Sequence, residues 1–192
     1  PVYVFRNAIY NVIAEPFKMH NSPSGALFFH NTVVKKGMPL QIASSEPVRN
    51  CWTRNNLFIG TTANYAFETT AKMRGCDFDY DGVGGGPWNL FLKWNGERFS
   101  TVEQAREKAL AWRNAVVVDA TNTFAKDVAA PAEPKKAHEA LDLRLREGTG
   151  AIDAGQLLPG MNDGFAGKAP DLGAYELGAA LPHYGPREAS SK

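Results

Sequence analysis

The chain has 192 residues, 21 of them basic and 20 acidic, for a formal net charge of +1. So even a balance gives no electrostatic basis for capturing nucleic acid or an anionic membrane surface. The run of roughly 18 apolar residues that a spanning helix needs is absent, no leader peptide is visible, and the length suits one or two domains.

From Val2 the sequence repeats itself. Four segments align: Val2 to Tyr10, Ala26 to Val34, Cys51 to Ile59 and Cys76 to Gly84. Their sixth positions are Asn7, Asn31, Asn56 and Asp81, at steps of 24, 25 and 25 residues. A fixed period of this size means stacked units, each too short to bury its own apolar face. Each segment reads as a strand, one Asn or Asp, and a second short strand. An Asn or Asp between two strands suits a backbone position at positive φ. Stacked in register, each side-chain amide can hydrogen-bond the next, as an asparagine ladder.

Between the aligned segments, residues 17–20, 40–43 and 66–69 alternate apolar with polar and read as third strands. Turn-forming residues surround them at 21–25, 44–47 and 74–75. Three strands and three turns per period predict an all-β chain, a right-handed parallel β-helix with about three to four rungs over residues 1–83. Leucine-rich repeats lack their leucine spacing here, and a β-sandwich would not hold so constant a period. A rung that opened at Val2 would present unpaired edges to water. A preceding β-helix segment or a companion chain stacking on the first rung is therefore expected. Cys51 and Cys76 occupy the same place in adjacent rungs, and the reading is two stacked thiols rather than a disulfide.

The regular pattern breaks after Asp81. Residues 84–125 read as a capping hairpin and helix with a further strand. Leu90–Trp94, Asn95-Gly96 and Glu97–Phe99 form the hairpin. Ser100 with Glu103 forms a capping box, and Val102, Ala105, Ala109 and Trp112 set one amphipathic helix over 101–113. Ala115–Val118 is the strand. Residues 126–192 read as a loop-rich C-terminal wrap of the same domain. It includes a helical turn at 137–141, a strand over Leu141–Leu145 and a disordered end from Glu188 to Lys192.

The tail carries a resemblance. Residues Leu143 to Gly155 end in Ala151-Ile152-Asp153-Ala154-Gly155, and Asn162 to Glu176 follow. With the Phe91-Leu92-Lys93-Trp94-Asn95-Gly96 hairpin and the ladder, they resemble the C-terminal portion of secreted bacterial right-handed parallel β-helix proteins of the pectate-lyase-like superfamily. The resemblance implies a secreted, periplasmic or cell-surface protein whose partner is polysaccharide. A polysaccharide lyase is favoured over a glycoside hydrolase, and the alternative is a non-catalytic glycan-binding or structural β-helix. Fold alone does not choose among these activities.

The candidate chemistry follows from which side chains face outward. With Phe17, Met19, Leu40, Ile42 and Phe67 inward, Lys18, His20, Gln41 and Glu68 share one surface. β-Elimination from a uronate needs a cation at the carboxylate and a base at C5, so Lys18 and His20 are the candidate catalytic pair. Gln41 and Glu68 are the candidate substrate contacts. The bland alternative is a solvated sheet face. Asp77, Asp79 and Asp81 before Gly82 match the opening of a calcium loop, but the twelfth position is Trp88 rather than Glu. On the competing reading Asp81 ends the ladder and Arg54 pairs with Asp79. Asp153, Asp163, Asp171 and Glu176 read as turn caps, with a glycosidase carboxylate pair as the alternative. Trp52, Trp88, Trp94 and Trp112 are candidates for stacking on sugar rings. Trp112 is assigned to the core, and Trp52, beside Leu27 and Tyr3, is expected to pack under a loop.

Overall fold

A computed structural model describes residues 1–60, 65–68, 71–85, 88–129, 133 and 136–182; for 65–68 and 120 it describes the backbone alone. Each repeat folds into the strands its composition favours. The first gives β1 (Val2–Phe5), β2 (Ala8–Tyr10) and β3 (Lys18–His20), and the second β4 (Ala26–Phe29), β5 (Thr32–Lys35), β6 (Leu40–Ala43) and the short β7 (Val48–Arg49). The third gives β8 (Trp52–Arg54), β9 (Leu57–Gly60), β10 (Tyr65–Glu68) and β11 (Met73–Arg74). The fourth gives β12 (Asp77–Phe78), β13 (Gly82–Gly84) and β14 (Leu90–Trp94), followed by β15 (Glu97–Phe99) and β16 (Val116–Val118).

Equivalent strands pair side by side and parallel. The first sheet runs β1-β4-β8-β12, the second β2-β5-β9-β13-β16 and the third β3-β6-β10-β14, with β15 added antiparallel across the Asn95-Gly96 turn. β7 pairs with β11 beside them. The chain is all-β apart from short helices. Its period persists past Asp81: Leu92 lies opposite Phe67 and Gly82 opposite Leu57. The Gly-rich loop after Val83 hides that continuation in the sequence, because it lengthens a turn without shifting the strand that follows.

The polar file is where the alignment puts it. Nδ2 of Asn7 donates to Asn31 Oδ1 at 2.9 Å, Nδ2 of Asn31 to Asn56 Oδ1 at 2.8 Å, and Nδ2 of Asn56 to Asp81 Oδ1 at 2.8 Å. Each of these oxygens also accepts the backbone N–H of the residue below it. The backbone detail differs from the expectation. The left-handed residues are Arg6, His30, Asn55 and Tyr80, with φ of 52°, 52°, 58° and 53°. They stand one position before the ladder. That residue makes the corner, and the Asn after it resumes extended backbone with its side chain turned inward.

Asp81 ends the file for a chemical reason. An amide there would need an acceptor in the next repeat, but its counterpart is the apolar Ala115. A carboxylate needs only donors. Asp81 receives four, from Asn56 N and Nδ2, Thr53 Oγ1 and Trp112 Nε1.

Inside the stack the apolar files are Val33–Phe58–Val83 from the second sheet and Leu40 with Leu92 from the third, all essentially buried. Phe78, Trp94, Trp112 and Phe91 close the C-terminal end edge to face, with ring centroids 5.2 to 6.1 Å apart. A second core lies outside the second sheet. Val34, Leu57, Ile59 and Val118 face Phe124, Leu143, Leu145, Ala151 and Leu172 of the tail. Burial on both faces is why β9 is a continuous apolar run rather than an alternating one.

The capping region departs from the sequence reading. Helix α1 (Val102–Gln104) passes into a π-helical turn at Ala105–Ala109 and stops, because Leu110 and Trp112 are left-handed at φ 55° and 52°. Trp112 is thereby swung into the core instead of extending the helix. The cap is Thr101, whose Oγ1 accepts Gln104 N, rather than Ser100 with Glu103. One turn, α2 (Ala120–Thr123), follows β16. Leu141–Leu145 makes a single antiparallel bridge, Leu145 to Phe124, instead of a strand. Residues 137–141 form no helical turn. The end from Glu188 to Lys192 lies outside the described residues. Among the described residues, no helix is long and apolar enough to cross a membrane.

Candidate binding groove

Strand alternation sends one file of the first sheet outward. Register puts Tyr3, Leu27, Trp52 and Asp77 side by side in it. Next to them run Phe5, Phe29, Arg54 and Asp79. The sequence reading packs Trp52 under a loop. Instead residues 156–161 pass alongside, leaving Trp52 45 % and Tyr3 58 % exposed. The result is a groove of about 840 Å³. Its floor is Tyr3, Leu27, Phe29 and Trp52, one wall is Gln156, Leu158, Pro159 and Met161, and the other is the turn file Pro1, Gly25, Asn50 and Gly75.

That turn file is small for a steric reason. Gly75 sits at φ 61°, and a Cβ there would meet Asn50 Oδ1 at 2.5 Å. The indole is fixed in place: its Nε1 donates to Gly75 O at 3.3 Å, and the Arg54 guanidinium lies 5.7 Å from its ring centroid. Arg54 is spent on its neighbours. It makes an ion pair with Asp77 and donates to Asp77 O at 3.0 Å and to Gln156 Oε1 at 2.7 Å. The groove is thus apolar, edged by amides, and carries no uncompensated charge at Arg54.

Side chains of the stack and the tail hold the wall. Asn55 Oδ1 accepts Gln156 N at 2.7 Å and Asn55 Nδ2 donates to Gln156 O at 2.8 Å. Asp153 accepts from Lys168 N and Ala169 N, Asp171 from Asp153 N and Leu177 N, and Glu176 from Ala166 N and Asp171 N. These carboxylates, with Asp163 on Gly160 N, cap turns as expected. Each helps shape the tail by accepting at least one backbone N–H.

His30 joins stack to tail. Its Nε2 faces the Nδ2 groups of Asn55 at 3.0 Å and Asn162 at 2.8 Å, so Nε2 is the acceptor and Nδ1–H donates to Gly173 O at 3.2 Å. Burial, with help from the Arg6 charge, lowers its pKa from 6.5 to about 4. The unfolded chain takes this proton near pH 6.5 while the folded chain refuses it until about 4, so His30 costs stability as pH falls through that window. The full loss is about 3 kcal/mol at 1.36 kcal/mol per unit. Asp81 has the opposite sign. Burial pushes it up to about 6, so acidification favours the fold through it. A difference measurement separates the two. The stability gap between the wild type and His30→Asn, whose Asn tolerates positive φ, should shrink by about 3 kcal/mol between pH 7 and pH 4 in urea titrations. A constant gap would mean His30 titrates as an exposed imidazole.

The other candidate residues separate. Lys18 and His20 are exposed on β3, and register places Lys18, Gln41, Glu68 and Lys93 in one file across the third sheet. Gln41 is half-buried, and its Oε1 has no hydrogen-bond partner among the described residues. The side chain of Glu68 lies outside the described residues. The calcium reading of Asp77, Asp79 and Asp81 is not supported by where their oxygens go. Asp77 pairs with Arg54. Asp79 accepts Asn114 N at 2.7 Å and Asn114 Nδ2 at 2.8 Å, and Asp81 closes the ladder. Among the described residues no group of three or more His, Cys, Asp or Glu could hold a metal ion. The expected Arg54–Asp79 pair is also replaced: Arg54 reaches diagonally to Asp77, and Asp79 is buried beneath Asn114 with Arg113 3.9 Å away. No family model, curated protein or solved structure matches this chain.

Proposed function

We propose that this chain is part of a right-handed parallel β-helix protein of the secreted, periplasmic or surface class, and that it binds extracellular polysaccharide along the groove of its first sheet. Three parallel sheets sharing one step of 24 to 25 residues, with an amide file inside, support the architecture. The observation that carries the function is the outward file Tyr3–Leu27–Trp52. It offers two exposed aromatic rings two strand spacings apart, roughly 10 Å along the stack. That distance suits a sugar and the next but one in a chain, since each pyranose advances it by about half as far. Pyranose rings present apolar faces to aromatic rings and hydroxyls to amides, and Asn50 and Gln156 edge this groove.

A second reading, a polysaccharide lyase on the third sheet, rests on the Lys18–Gln41–Glu68–Lys93 file with His20 further along β3. Affinity electrophoresis through gels carrying neutral and acidic polysaccharides separates the two. Groove binding predicts retardation that weakens about thirtyfold in Trp52→Ala, near 2 kcal/mol, and is unchanged in Lys18→Ala and His20→Ala. Ultraviolet absorbance from unsaturated uronide, lost in Lys18→Ala, would favour the lyase. Absence of both retardation and product across the panel would rule out both readings.

A further inference from the structure

Cys51 and Cys76 stand one residue before Trp52 and Asp77, which lie opposite each other on neighbouring parallel strands. The two cysteines are therefore in register. Cα atoms at that separation are about 4.8 Å apart, within the roughly 4.4 to 6.8 Å that a disulfide spans. Both are free thiols. Cys51 Sγ is directed at Arg49 O at 3.3 Å, and Cys76 Sγ at Val48 O and Arg74 O at 3.5 and 3.6 Å. Cys51 is fully buried, whereas Cys76 is partly open.

We propose that Cys51 and Cys76 are a dithiol modification site, which a small-molecule disulfide of the glutathione class oxidises to a repeat-to-repeat disulfide under the groove. Cys76, the thiol open to solvent, loses its proton to water and becomes the thiolate. It attacks the oxidant, forming a mixed disulfide and releasing one thiolate. Cys51, already beside it, then attacks the Cys76 sulfur and expels the second. Two protein thiols lose two protons and two electrons, and the oxidant is reduced to two thiols.

The bond would lock the groove, because Asn50, Trp52 and Gly75 flank the two cysteines and line it, and Trp52 already bonds to Gly75. It would also close a loop between successive repeats and so restrict the unfolded chain. The site does not depend on what the groove binds.

The test is to treat the full chain with glutathione disulfide, then count thiols after unfolding, weigh the protein and follow its melting. Loss of both thiols, a mass lower by two hydrogens, no glutathione adduct and a melting midpoint raised by several degrees, all reversed by a dithiol reductant, are expected. Cys51→Ala should accumulate the mixed disulfide on Cys76, and Cys76→Ala should gain no adduct. A stable glutathione adduct on the wild type, two thiols still titratable, or a lowered midpoint would each overturn the proposal.

Discussion

Replacing Asn56 with alanine is expected to remove about 4 kcal/mol of folding stability. The side chain is fully buried at the centre of the ladder. Its Oδ1 accepts Asn31 N and Nδ2, and its Nδ2 donates to Asp81 Oδ1 and Phe28 O. Alanine removes four buried hydrogen bonds at once and leaves Asn31 N without its acceptor, although Asp81 Oδ1 keeps the backbone N–H of residue 56 and Asn31 Nδ2 keeps Val4 O. The cost is about 1 to 3 kcal/mol for each group that cannot relax. Domains of this size hold about 5 to 15 kcal/mol in all, so urea titration should show a loss close to the margin. Asn56→Asp sharpens the test. It keeps the acceptor for Asn31 but sets a carboxylate oxygen against Asp81 Oδ1. It should be as unstable as the alanine variant at neutral pH and recover in part on acidification, when a protonated carboxyl can donate. A ladder that contributed only packing would show no such recovery.

Trp112→Ala is expected to cost on the order of 5 kcal/mol. The indole is fully buried, meets Phe78, Phe91 and Trp94 edge to face, and donates Nε1–H to Asp81 Oδ2 at 3.1 Å. Alanine leaves a cavity at the C-terminal end of the core and removes one of four donors from a buried carboxylate. Trp112→Phe keeps most of the packing and loses the donor, so about 2 kcal/mol is expected from it. Thermal and urea unfolding should rank wild type above Phe above Ala. Near-equal Phe and Ala variants would mean the hydrogen bond dominates the packing.

The repeats were legible because their physics is local and periodic. Asn7, Asn31, Asn56 and Asp81 can be counted off the sequence, and the strand–corner–strand composition around them recurs. The third strands were found from alternation alone, and the hairpin from Asn95-Gly96. What escaped depends on contacts between distant segments. Helical spacing at Val102, Ala105, Ala109 and Trp112 predicted a longer helix, yet core demand for Trp112 ended it at Leu110. Asp77 and Asp79 looked like ligands of one cation, but Arg54 and Asn114 claim them separately, and Asn114 lies far along the chain. The groove was half legible. The outward alignment of Tyr3, Leu27 and Trp52 was visible, whereas the path of residues 156–161 beside rather than over them is set by Asn55, His30 and Asn162 meeting across the fold.

The most direct test of the groove is a titration of isotope-labelled protein with an oligosaccharide of whichever polysaccharide retards it, followed by two-dimensional NMR. Shifts should concentrate on the Trp52 indole N–H, the Leu27 methyls and the Gln156 side-chain amide, leaving Lys18, His20 and Gln41 unmoved. Shifts gathered on β3 and β6 instead, with the indole N–H of Trp52 silent, would contradict it.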